Sequence, residues 1–160
     1  MVYYIGIDPS TSKTGYAVLN NAGELVDKGV ILAAADDPFA FHLLYDNLSN
    51  LYDTYPPTSV ICEQQFAGPN MATMIKLIRP TGVVLAVTGK YETDFTFKNP
   101  SSWRKVYHKD TDFEKKYSKR DSFKVTLERF PGSVTTFNKD NDISDAIGIA
   151  YACWQLAMGE

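Results

Sequence analysis

The sequence predicts an α/β domain: a mixed five-stranded sheet, three antiparallel strands first and two parallel strands after them, with helices on both faces. Three observations carry this expectation. Apolar, extended runs at residues 2–8, 15–20 and 24–32 follow one another closely, as in an antiparallel meander. Two further extended runs, at 58–63 and 93–97, are each preceded by a helical pattern, the arrangement of a mixed sheet covered on both faces. The chain has 160 residues and 17.9 kDa, enough for one domain spanning 1–160 that buries roughly 70% of its unfolded surface.

Each element has a local reason. Pro9 to Thr14 connects the first two strands, and Asn20-Asn21-Ala22-Gly23 supplies turn chemistry between the second and third. Asp36-Asp37-Pro38 offers an N-cap and an early proline, followed by Phe39, Leu43, Leu44, Leu48 and Leu51 at helical spacing, with Pro56-Pro57 as the stop. After the strand ending at Glu63, a second helix is expected over 71–90. It is apolar nearly all round, which implies burial on more than one side, in the core or against a second subunit, and Pro80 should kink it near Arg79. Asn99-Pro100 opens a short helix. Residues 108–118 read as a mobile polar loop, and helices over 119–130 and 140–158 close the domain.

Composition narrows the function. The apolar runs read as too short to span a bilayer, and Met1 leads into a strand without a basic, cleavable leader, so a cytoplasmic protein without a membrane partner is expected. Cys62 and Cys153 lack metal-type spacing and read as buried, inert side chains. The net charge of −3 argues against a nucleic-acid partner until its distribution is considered. Between Lys98 and Lys124 there are nine Lys/Arg against four acids, a local +5 that leaves −8 for the remainder. A basic tract beside an acidic pocket suits an anionic polymer.

The acidic pocket rests on four residues. Asp8 and Glu63 end two predicted strands, and Asp142 and Asp145 stand i,i+3 on the last helix, so their Cβ atoms are about 5–6 Å apart on one face. Carboxylates gathered in this way bind hard divalent cations, and two ions about 3.5–4 Å apart can hydrolyse a phosphodiester. Asp140 competes with Asp142 as the helix cap; its spacing to Asp145 assigns it the cap and leaves it out of the pocket.

Ile5-Gly6-Ile7-Asp8-Pro9 with Thr14-Gly15-Tyr16-Ala17, then Ile61-Cys62-Glu63-Gln64-Gln65-Phe66, then Asp142-Ile143-Ser144-Asp145-Ala146-Ile147-Gly148-Ile149-Ala150, resemble the signature blocks of RuvC-type Holliday junction resolvases. The resemblance spans nearly the whole chain in order. It implies a ribonuclease H-like fold, a homodimer, and cleavage of four-way and other branched DNA with Mg²⁺ or Mn²⁺, two ions per site. It assigns Asp8, Glu63, Asp142 and Asp145 as metal ligands and catalytic residues, with Asp8 bridging the ions. Phe66 matches an aromatic that stacks on or inserts between bases at the junction centre. Arg104 or Lys105, and Lys119 or Arg120, match basic residues near the scissile strand. The tract Lys109 to Lys116 departs from the family's compact glycine-containing loop, and the small size and altered loop suit a viral-type member acting in a host cytoplasm.

Dimerisation is expected through the helix around Met71 to Lys90, where Gly82, Ala86 and Gly89 permit close approach. His108, in the polar loop, reads as exposed rather than as a base. Rival readings are a ribonuclease H acting on RNA–DNA hybrids and a catalytically silent branched-DNA-binding module. A sugar-kinase or actin-like ATPase needs two such domains, and the chain supplies one.

Overall fold

A computed structural model describes residues 1–34, 36–64, 68 and 70–159. Five strands, β1 (Tyr3–Pro9), β2 (Lys13–Asn20), β3 (Leu25–Leu32), β4 (Pro57–Glu63) and β5 (Asp94–Lys98), form one sheet in the order β3-β2-β1-β4-β5. β1 is central, antiparallel to β2 and parallel to β4; β2 pairs antiparallel with β3 and β4 parallel with β5. The expected mixed sheet is therefore present. Helices α1 (Pro38–Thr54) and α2 (Met71–Lys90) stand on one side, and α3 (Pro100–Tyr107), α4 (Lys119–Arg129) and α5 (Phe137–Ala157) on the other.

The alternation of β1 divides the molecule. Ile5 and Ile7 enter an apolar core with Leu44, Leu48, Tyr52, Val84 and Val87 of α1 and α2. Tyr4 faces the other way, towards Trp103 and Tyr107 of α3 and Ile149 of α5. Asp8, two and four residues on from Gly6 and Tyr4, shares their face. Cys62 lies in the α1/α2 core, as its parity with Glu63 requires, and Cys153 is buried on the α5 side; both thiols are free.

Two glycines set the height of α5 above the sheet. A Cβ on Gly6 would lie 2.2 Å from the Ala150 backbone nitrogen, and one on Gly15 would lie 2.6 Å from the Asp142 carbonyl oxygen. Both obstacles are backbone and cannot rotate away. Gly15 is also the register partner of Asp8, so the residue that admits the start of α5 stands directly beside the acid at the end of β1.

Several boundaries move. α5 begins at Phe137, three residues before the expected start. Its N-cap Thr136 makes no side-chain cap bond; Asp140 instead accepts from the backbone nitrogen and the hydroxyl of Thr135, each at 2.6 Å. Asp140 thus braces the helix entrance without being its N-cap. Pro57 enters β4, and α4 ends at Arg129.

α2 overturns more. It continues through Pro80 as one helix and buries only Pro80, Val84, Val87 and Thr88, so it is not enclosed on more than one side within this chain. Met71, Ile75, Ile78 and Leu85 are exposed. Among the described residues it is the one helix long and apolar enough, by length and composition, to cross a membrane, contrary to the expectation that every apolar run is too short.

Candidate active site

The four acids arrive by separate routes. Asp8 lies near the end of the central strand and Glu63 ends its parallel neighbour. Asp142 and Asp145 lie on the second and third turns of α5, over the Asp8–Gly15 register pair. Asp8 is 5% exposed and Asp145 is 1% exposed; Glu63 and Asp142 are half-buried.

Like charges crowded out of water raise one another's proton affinity. Burial pushes the Asp8 carboxyl well above the ordinary carboxylate range, with Glu63 and Asp145 adding to the push. Glu63 is raised by burial and by Asp145, against the hydrogen bond from Trp103 and the charge of Arg104. Asp145 is raised by burial although Lys119 and Arg104 pull the other way.

Three cations answer the four acids. Lys119 Nζ lies 3.2 Å from Asp145 and 3.6 Å from Asp142. Lys13 lies 3.0 Å from Asp142, and the Arg104 guanidinium 3.5 Å from Asp145. Burial disfavours the charge on Lys119, yet Asp145, Asp8 and Asp142 outweigh it and hold the ammonium above the ordinary lysine value. Trp103, fully buried, donates its indole N–H to Glu63 at 2.8 Å, fixing that carboxylate from below. Arg104 stacks on the Trp103 ring at 4.7 Å.

The basic alternatives separate by position. Arg104 reaches Asp145, whereas Lys105 is exposed. Lys119 reaches Asp142 and Asp145, whereas the Arg120 guanidinium lies over the Phe137 ring at 4.4 Å. Phe66 lies outside the described residues.

His108 is fully buried, not exposed, and the segment expected to be mobile is tied down by it. Lys13 and Trp103 were not anticipated as neighbours of the acids. Lys13 opens β2, directly before Thr14-Gly15-Tyr16-Ala17, and nothing in its own type marks it as a partner of an acid. Trp103 precedes Arg104, and a tryptophan in a polar helix start was its only signal.

By residue type, though not by tight grouping, the acids are those that a divalent cation takes. Oδ1 of the buried Asp145 has no hydrogen-bond partner, and Oδ2 meets only the Lys119 ammonium and the Arg104 guanidinium, an arrangement that leaves the carboxylate short of partners. The donor set is entirely carboxylate, as hard cations prefer. Among the described residues, no group of three or more His, Cys, Asp or Glu side chains is gathered tightly enough to hold one ion; Lys13, Arg104 and Lys119 provide the countercharge.

The profile of the family described as crossover junction endodeoxyribonuclease RuvC matches residues 4–153. The chain belongs to the RuvC family. A RuvC of Rickettsia bellii (strain OSU 85-389) is 28% identical over 155 residues, covering 93% of this chain and 94% of the relative. That of Orientia tsutsugamushi (strain Ikeda) is 32% identical over 109 residues, 64% of this chain and 67% of the relative. In fold, the chain matches Thermus thermophilus RuvC, solved in complex with a Holliday junction substrate, with a TM-score of 0.75 at 16% identity over 99% of this chain and 97% of the other.

Proposed function

We propose that this RuvC-family domain is an endodeoxyribonuclease that cuts four-way and related branched DNA by metal-assisted hydrolysis of phosphodiesters. The observation that carries this is the carboxylate group of buried Asp8 and Asp145 with half-buried Glu63 and Asp142, flanked by Lys13, Arg104 and Lys119 and set in a chain whose family is crossover junction endodeoxyribonuclease. Those four residues would hold the divalent ions, Mg²⁺ with Mn²⁺ as a substitute and two per site. When bound, such ions activate water and stabilise the leaving oxygen.

The protein's own residues do the rest. Trp103 orients Glu63 through its indole N–H. Asp8 is fixed to the central strand, and α5 presents Asp142 and Asp145 from one helical face. Arg104 and Lys119 lie within reach of both the acids and an approaching phosphate, where preorganised positive charge favours the more anionic transition state. Lys105 and Arg120, directed elsewhere, are assigned to DNA further from the cut. Phe66, three residues after Glu63, is assigned to the junction bases.

Two equivalent cuts in a four-way junction call for two equivalent sites, which a two-fold dimer supplies. The exposed seam of α2 supports that reading. Met71, Ile75, Ile78, Gly82, Leu85 and Gly89 are all exposed and recur at alternating steps of four and three, the spacing of a helix-to-helix seam. Gly82 and Gly89 have open space where a Cβ would be. Pairing α2 with its copy would cover the apolar stripe that this chain leaves bare.

Cleavage of synthetic four-way, three-way, flap and RNA–DNA hybrid substrates tests the function. Wild type is expected to cut the four-way junction with Mg²⁺ or Mn²⁺, and Asp8→Asn to leave it whole. Preferential cutting of the hybrid would favour a ribonuclease H, and binding without cleavage in either metal a silent junction-binding module.

A further inference from the structure

His108 caps the C-terminus of α3 and is completely buried in a part of the chain rich in charge. Its ring nitrogens are fully engaged. Nδ1 lies 2.6 Å from the Lys116 carbonyl oxygen and 3.2 Å from that of Phe113, and Nε2 lies 2.9 Å from the Ser122 hydroxyl of α4. Carbonyl oxygens only accept, so the Nδ1 proton points at them; in the neutral ring Nε2 accepts from the Ser122 hydroxyl, whose alternative acceptor, the Ser118 carbonyl, lies farther off at 3.2 Å. Burial pushes the imidazole below the ordinary histidine value, consistent with a neutral ring.

What these bonds hold is the approach to α4. Arg104, one helical turn before His108, donates Nη1 to the Tyr117 carbonyl at 3.1 Å. Ser118 then caps α4 through a reciprocal box with Asp121, and Lys119 follows as the first helical residue, with Nζ on Asp145, Asp142 and the Asn141 side-chain oxygen. The imidazole therefore joins the helix that carries Arg104 to the segment that delivers Lys119. A histidine performs this task here because its two nitrogens serve opposite sides at once, donating to the loop and accepting from the helix.

We propose that His108 is a positioning residue for the nuclease reaction: by tying the 113–117 backbone and α4 to α3, it fixes Lys119 in register with the acid cluster. The inference rests on the reading of Lys119 given under Proposed function. It needs no contact between His108 and DNA, and it gives the loop from Lys109 to Lys116 a structural purpose.

Two substitutions separate the two halves of the tie. Asn at 108 keeps a donor near the Nδ1 position, whereas Gln reaches the Nε2 position and gives up the carbonyls. His108→Gln is expected to raise amide hydrogen exchange across 113–119 and to slow single-turnover junction cleavage about tenfold or more, since small misplacements can cost up to about a hundredfold. Junction binding in Ca²⁺ should stay within about twofold, and His108→Asn should restore most of both losses. In a Lys119→Met background, His108→Gln should cost less than about twofold in cleavage, because the group it positions is gone. The same loss in both backgrounds, or unchanged exchange across 113–119 in His108→Gln, overturns the proposal. Full cleavage by Lys119→Met alone would instead overturn the catalytic reading of Lys119 and the consequence drawn from it for His108, while exchange would still report on the tie itself.

Discussion

α2 and α5 are the two longest helices, of 20 and 21 residues, and they invert the usual relation between polarity and burial. α5 buries ten residues, among them Asp140, Ser144 and Asp145. α2 buries four and leaves Met71, Ile75, Ile78 and Leu85 in solvent. In one helix charge is held out of water; in the other apolar surface is held in it. Both are costly in the isolated chain, and the proposed function answers each: a cation and a phosphate at α5, a second copy at α2.

The largest expected effect lies at the acid end of that contrast. Asp145→Asn should reduce single-turnover cleavage in Mg²⁺ by at least about a hundredfold, the scale of losing one preorganised electrostatic partner. Retained cleavage would mean that burial of Asp145 serves structure alone. At the apolar end, Leu85→Glu places a charge on the α2 seam. It should convert dimer to monomer in sedimentation velocity at micromolar concentration, with monomer stability within about 0.5 kcal/mol of wild type because the site is exposed. Wild type that sediments only as monomer would break the comparison on this side.

The pH dependence sharpens it further. Asp8, Glu63 and Asp145 have proton affinities raised by folding, chiefly through burial. The folded state binds more protons than the unfolded one, so their contribution is complete below the ordinary carboxylate range and is lost as pH rises through the raised values. With chelator present, melting temperatures taken across that range should fall towards neutrality from this source, and the fall should be smaller in Asp145→Asn. Asp140 runs the opposite way. Its bonds from Thr135 hold its carboxyl below the ordinary value, so its contribution is present at neutral pH and lost on acidification. Asp140→Asn should cost about 1 kcal/mol by denaturant titration and keep most cleavage, the smallest effect in the set.

How much of this was legible in sequence follows from the kind of signal. The succession of three antiparallel and two parallel strands, and the parity that sends Cys62 and Glu63 to opposite faces, follow from short-range patterns, and the sheet has them. Asp142 and Asp145 could be placed together because helical spacing fixes i,i+3 neighbours. The ring around the acids was hidden because it is built across the fold: Trp103 reaches back 40 residues to Glu63, and Lys13 meets Asp142 only where Gly15 lets α5 approach. His108 looked exposed because its neighbours in sequence are polar, whereas its partners are carbonyls folded over it. The start of α5 was misplaced because the brace comes from Asp140 inside the helix, not from a side chain at the cap. α2 reads as covered on more than one side, in the core or by a second subunit, because its composition reports apolarity and is silent about what covers it; within the chain it is covered on one side.

Under the proposed function, α5 and the ends of β1 and β4 hold a carboxylate pocket for divalent cations. The most direct measurement is the melting temperature of the DNA-free protein as Mn²⁺ is titrated, for wild type and Asp8→Asn. A ligand that binds only the folded state raises stability by about 2.7 kcal/mol at a hundred times its dissociation constant. Wild type is expected to show a saturable rise that is largely lost in Asp8→Asn; a wild-type protein indifferent to Mn²⁺, or an equal rise in both, would contradict a metal pocket built on Asp8.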